Sequence, residues 1–155
     1  MRLTSFTNYA LRMLQYAALH PGELSRVPEI AQIHRASVHH MIKVANRLGH
    51  EGFLDTVRGR NGGVRLAKPA EEIRLGDVVR ITEAPLDLAE CFNAETNNCP
   101  LPDVCRLRQT WNKALEAFFL VLDEVTVADI AANKGELLDR LQPPVPAMME
   151  AVAGE

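Results

Sequence analysis

Between Phe53 and Lys68 the apolar pattern of the chain changes period, and that change limits the folds open to it. Before it, apolar residues recur three and four apart, as in helices that bury one face. Phe53 to Arg58 and Val64 to Lys68 instead have the pattern of short strands, separated by Gly59-Arg60-Asn61-Gly62-Gly63. Glycine and asparagine tolerate positive φ, so this stretch carries the chemistry of a hairpin turn. The expected fold class is mainly α with one small β-hairpin.

The helices around the hairpin follow from spacing and end signals. Phe6, Ala10, Met13 and Ala17 place a helix over Thr4 to Leu19, capped by Thr4 or Ser5 and stopped at His20-Pro21-Gly22. Pro28 opens a short helix, and a turn through His34 and Arg35 leads to Ser37, the expected N-cap of a helix reaching about Leu48. Met41, Ile42, Ala45 and Leu48 form its expected inward face, with His39, His40, Lys43, Asn46 and Arg47 outward. A helix fits Leu75 to Thr82, and the longest runs from Cys105 to about Glu124 with Leu107, Trp111, Leu115, Phe118 and Leu122 on one stripe. Thr126 caps a further short helix, Leu137 to Leu141 form a last turn, and residues 142–155, opening with prolines, are expected to be a disordered tail.

Two short helices joined by a tight turn and followed by a hairpin make a winged helix-turn-helix arrangement. Its second helix can enter a major groove with its N-terminal residues toward base edges. The charge supports this: residues 1–68 hold 10 Lys and Arg against 4 Asp and Glu, whereas residues 69–155 hold 7 against 16. Only the first half suits a polyanion such as double-stranded DNA. Ser37, His39, His40, Lys43 and Arg47 on the helix, and Arg58, Arg60, Asn61, Gly62, Gly63 and Arg65 on the wing, are the candidate DNA-binding residues. For His39 and His40 a solvated helix face and base contact are both open.

Cys91, Cys99 and Cys105 are gathered within fifteen residues of a polar segment. An odd count of thiols, in a chain with no expected signal peptide or membrane span and hence expected in the cytoplasm, argues against a disulfide framework. Soft thiolates select zinc, Cu(I) or iron–sulfur clusters. The close ligand pairs usual in structural zinc sites are missing here, so an iron–sulfur cluster is the expected group. A [4Fe-4S] cluster has four ligand positions and would leave one iron with a non-thiolate ligand, open to attack by a small molecule; [2Fe-2S] is the alternative.

The residues also carry a resemblance. Leu3 to Arg12, Val57 to Leu66, Ile73 to Arg80 and the cysteine trio resemble, in the same order, the iron–sulfur winged-helix repressors that include NsrR and IscR. The full wing, His40 to Asn46 and the lack of a histidine shortly after Cys105 lean toward the nitric-oxide-sensing branch. The resemblance implies a homodimer with one cluster per subunit on Cys91, Cys99 and Cys105, a long dimerisation helix, and nitric oxide as the signal. The branch's fourth ligand is a partner carboxylate at a position that matches Asn8 here. A neutral amide is a poorer iron ligand, which leaves His34, Glu90, Glu95, Asp103 or water as further candidates for that place.

The expected organisation is a winged helix-turn-helix DNA-binding domain over 1–83, a cluster-binding loop over 84–105, a dimerisation helix with C-terminal helices over 106–141, and the tail. The expected function is repression of transcription controlled by a cluster that reacts with nitric oxide. A redox- or cluster-supply sensor of the IscR type, an electron-transfer protein and a zinc-stabilised interaction module are the alternatives. Neither an acid/base pair nor a nucleophile triad stands out, and Gly59 to Gly63 does not lead into a helix as a phosphate cradle would. The chain is not expected to be an enzyme.

Overall fold

The anticipated hairpin is formed by β1 (Leu54–Val57) and β2 (Gly63–Leu66), antiparallel, with Leu54 opposite Leu66 and Val57 opposite Gly63. The computed structural model describes residues 2–59, 62–101 and 103–142, so Arg60 and Asn61 of the wing and nearly all of the expected tail lie outside the described residues. Three helices precede the hairpin: α1 (Ser5–Leu19), α2 (Val27–Ile33) and α3 (Val38–His50). After it come α4 (Leu75–Thr82), the long α5 (Arg106–Glu124), α6 (Val127–Ile130) and α7 (Lys134–Arg140). The molecule is a mainly α winged helix, and no described helix is long and apolar enough to cross a membrane.

One core holds the first half together. Met13 and Leu14 of α1, Ile30 of α2, Met41, Val44 and Leu48 of α3, Val64 of β2, Ile73 and Val78 are all fully buried or nearly so. Burying a side chain of this size stabilises by about 1.5–3 kcal/mol. Val44 takes the inward place expected of Ile42, which is 43% exposed. The reason is helical phase: Met41, Val44, Ala45 and Leu48 fall on one stripe, and Ile42 is turned about 100° away from Met41.

Local chemistry explains where the helices begin. The Thr4 hydroxyl accepts the Thr7 N–H, and its N–H and hydroxyl both donate to the Glu83 carboxylate. The Thr7 hydroxyl donates to Thr82 at 2.8 Å, so the start of α1 is tied to the end of α4. Ser37 does hold the N-cap position of α3, but its side chain makes no capping bond. Arg35, with φ 51°, supplies the left-handed turn between α2 and α3 that glycine more often provides. Thr126 and Asp129 form a reciprocal capping box at the start of α6.

The second half is built differently. After Glu83 the chain leaves the core, and α5 contains no buried residue. It returns at the far end of α5, where Leu122 and Val125 pack on the core and Val127 enters it. Gln15 of α1 donates to the Ile130 carbonyl, fastening α6 to the first helix.

Candidate nucleic-acid interface and metal-binding segment

The outward face of α3 and the wing line one groove. Ile42, Ala45 and Asn46 of α3 face Thr56, Val57, Arg58, Gly59 and Gly62 across it. Ser37, Val38, His39, Lys43 and Arg47 are exposed on α3, as are Arg58 and Arg65 on the wing. Two of the basic residues have local partners: Arg47 pairs with Glu51 at 3.1 Å, and Arg65 with Asp55 across the strands at 3.3 Å. Exposed pairs of this kind are worth roughly 0–1 kcal/mol, too little to keep either guanidinium from a phosphate. His40 is half-buried, its ring 5.9 Å from that of Phe6 and edge-on to Tyr9 at 5.2 Å. It therefore joins the first turn of α3 to the first turns of α1.

The wing is pinned at its base. Ser25 exchanges two backbone hydrogen bonds with Val64, each of 2.9 Å, as a one-residue third strand. Gly63 is buried here, and a Cβ on it would sit 2.6 Å from the Ser25 carbonyl oxygen. Gly59 adopts φ 110°, open to glycine at no steric cost. The Ser25 anchor was not visible to sequence reasoning, because a lone serine before α2 carries no pattern.

The cysteine segment has no core of its own. No described residue from Ala84 to Cys105 is buried, and the chain is shaped by a 3-10 turn at Glu90–Phe92 and by two asparagines. The Asn93 and Asn97 side-chain oxygens accept the N–H groups of Glu95 and Cys99, both at 3.0 Å. Cys91, Cys99 and Cys105 are free thiols of intermediate exposure. Cys105 is the N-cap of α5, its sulfur accepting the Arg108 N–H at 3.4 Å. That sulfur is thus part of the first turn of the long helix.

The candidates for a fourth ligand differ in setting. Asn8 is exposed on the first turn of α1, and Glu90, Glu95 and Asp103 are exposed in or beside the cysteine segment. His34 alone among them has a buried ring nitrogen, Nε2, without a hydrogen-bond partner. Burial, helped by the Arg12 charge, holds the His34 pKa below the usual imidazole value, so the ring is neutral with a lone pair to offer. Three free thiols are donors that fit a soft or borderline metal, and the His34 nitrogen is a donor of compatible kind. Among the described residues, however, no three of His, Cys, Asp and Glu converge on a single point.

A basic helix and a glycine-rich basic wing around one groove define a winged-helix, DNA-binding regulator of transcription. More narrowly, the chain belongs to the Rrf2 family, whose model, described as an iron-dependent transcriptional regulator, matches residues 3–133. It is 49% identical over 143 residues to the HTH-type transcriptional regulator NsrR of Shouchella clausii, covering 92% of this chain and 96% of that protein. The NsrR of Bacillus subtilis is 43% identical over 143 residues, covering 92% of this chain and 98% of its own length. Among solved structures, T. potens IscR superposes with a TM-score of 0.70 at 23% identity, over 88% of this chain and 90% of that one. Staphylococcus aureus CymR gives 0.65 at 27% identity, over 83% and 96%. The protein is a regulator and not an enzyme.

Proposed function

We infer that this chain is a homodimeric transcriptional repressor whose hold on DNA is set by an iron–sulfur cluster carried on Cys91, Cys99 and Cys105, with nitric oxide as the signal. The observation that carries the reading is the trio of free thiols on one coreless segment, in a chain so close to NsrR proteins. When bound, the cluster would supply iron that nitric oxide can attack. The residues of the chain do the rest. Lys43, His39 and Ser37 on α3 meet base edges and phosphate, while Arg58 and Arg65, with Arg60 and Asn61, extend the contact from the wing. Cys105 carries the state of the thiols into α5, and [4Fe-4S] is the favoured group because it fills three thiolates and one weaker position.

The second copy has a place to sit. Of the expected stripe Leu107, Trp111, Leu115, Phe118 and Leu122, the last packs on the core of its own chain, and Leu107, Trp111, Ala114, Phe118 and Val121, four and three apart on α5, have the spacing of a helix–helix seam. Leu107 is 60% and Val121 62% exposed, so both ends of this seam are uncovered within one chain. Division into a DNA-binding domain over 1–83, a cluster loop over 84–105 and a dimerisation part over 106–141 follows the same reading. Cytoplasmic residence goes with it, since the thiols must stay reduced and the DNA within reach.

Anaerobic isolation with iron and sulfide analysis, followed by nitric oxide titration while DNA binding is monitored, tests the proposal. Stoichiometric iron and loss of DNA binding with added gas are expected. Colourless protein holding stoichiometric zinc would replace it with the interaction-module reading. A response to oxidants but not to nitric oxide would favour a sensor of the IscR kind.

A further inference from the structure

The long helix α5 meets α4 of the winged-helix half through Phe119 and Asp123, near its C-terminal end. Asp123 receives both arms of the Arg80 guanidinium, at 2.6 and 2.7 Å, from α4. The same guanidinium lies 4.2 Å from the centre of the Phe119 ring, one helical turn before Asp123. Arg74, just ahead of α4, donates to the Asp123 backbone carbonyl. Below the pair the backbones are stitched together, Leu75 N–H to the Val125 carbonyl at 2.9 Å and Val127 N–H to that of Ile73 at 2.8 Å.

Gly76 completes the arrangement. It is buried in α4, and a methyl group there would collide with the Asp123 carboxylate and stand 2.9 Å from the Arg80 guanidinium. A glycine inside a helix costs about 1 kcal/mol relative to alanine. Here it leaves the space in which the carboxylate sits. Arg80 holds the Asp123 carboxyl below the usual carboxylate pKa, so the pair is charged on both sides at neutral pH.

We propose that Arg80 and Asp123, seated over Gly76, are the positioning pair that transmits the state of the cysteine segment to the DNA-binding half. The proposed transmission is mechanical. Cys105 caps the first turn of α5 and Asp123 lies in its last, about 27 Å away along a continuous helix. Within one chain the body of α5 buries no residue, so its fixed attachment to its own winged-helix half is the junction around Arg80, Phe119 and Asp123. A shift begun at Cys105 reaches the winged-helix half of the same chain through that junction. A bidentate guanidinium–carboxylate pair with an aromatic face beside it fixes angle as well as distance, which a single apolar contact does not. The pin lies on α4, whose Val78 and Val79 are in the core and whose Thr82, with Glu83 just beyond it, holds the start of α1.

This inference rests on the reading that occupancy of the cysteines changes DNA affinity, and its test separates the two. Asp123→Asn keeps the side-chain volume and removes the charge; Arg80→Ala removes the partner. For each, the ratio of DNA affinities of the anaerobically isolated and the metal-stripped protein is measured. Hydrogen exchange at the Leu75 and Val127 amides is followed in both forms. The expected result is a ratio falling to about one, with metal-stripped affinity and iron content at wild-type levels. Exchange at the two amides should quicken about tenfold. An unchanged ratio in both variants overturns the proposal whatever the exchange rates do, because the pair would then be structural only. If the wild-type ratio is itself one, the cluster reading fails; unchanged exchange then overturns the pin too, and faster exchange sustains it as a mechanical link.

Discussion

The winged-helix half and the cysteine-bearing arm are ordered by different means. In the first, Met13, Leu14, Met41, Leu48 and Ile73 are fully buried, and four helices and a hairpin share one core. In the second, no described residue from Ala84 to Cys105 is buried and α5 buries none. Side-chain turns, a capped helix end and one pinned junction give the arm its shape. A segment with no core can change arrangement without unfolding its neighbour, which is what a sensing element attached to a rigid reader requires.

The largest effects should separate the two regions by stability. Leu14→Ala should lower the unfolding free energy of the metal-free protein by about 2–5 kcal/mol, as for other buried leucines. Val121→Ala, at a mostly exposed position, should change it by less than about 0.5 kcal/mol at dilute protein. Chemical denaturation measures both, and equal losses would erase the distinction. Next in size, Cys99→Ser should abolish stoichiometric iron and bring DNA affinity to that of metal-stripped parent protein. Its far-UV melting curve should overlay that of the stripped parent; a displaced curve would mean that the arm supports the core after all.

Smaller effects sharpen the comparison. Replacing Arg58, Arg60 and Arg65 together by Ala should flatten the dependence of log affinity on log salt by roughly 0.9 for each phosphate no longer neutralised. The cysteine segment should contribute nothing to that slope. The smallest effect concerns pH. Asp123 is held below its ordinary pKa by Arg80 first, with Arg74 also contributing. Its contribution is therefore complete above the unfolded carboxylate's pKa and is lost as pH falls through the lower folded value. Amide exchange at Leu75, corrected for its intrinsic pH dependence, should stay level from neutrality down to about pH 4 and quicken only below it. A rise beginning near pH 6 would assign the junction to some other group.

Much of the reader was legible because its signals are local. Thr4, Pro28, Ser37 and Thr126 mark helix starts, and Gly59 to Gly63 mark the turn, each through its own backbone chemistry. Ile42 and Val44 exchange places between expectation and structure because both are apolar, and apolar character alone does not fix the helical phase. Spacing sets His40 on an outward face, yet its ring packs on Phe6 and Tyr9, a tertiary contact that no pattern within α3 encodes. The Arg80–Asp123 pair joins residues 43 apart and is hidden from the sequence for the same reason. Gly76 is its one trace there, an isolated glycine in an otherwise sound helix, the mark of a close approach. The cysteines suggest a metal in the sequence by their number and company, while their placement relative to one another is a tertiary matter that spacing does not encode.

One operator duplex and one preparation show whether bound metal governs DNA binding, when the affinity of the anaerobically isolated protein is compared with that of the same protein after its metal is removed. A tighter hold by the metal-bearing form, lost on chelation and regained when iron and sulfide are restored, is the predicted result. Equal affinity before and after would mean that the thiols have no influence on the groove between α3 and the wing, and that DNA binding is not set by a metal.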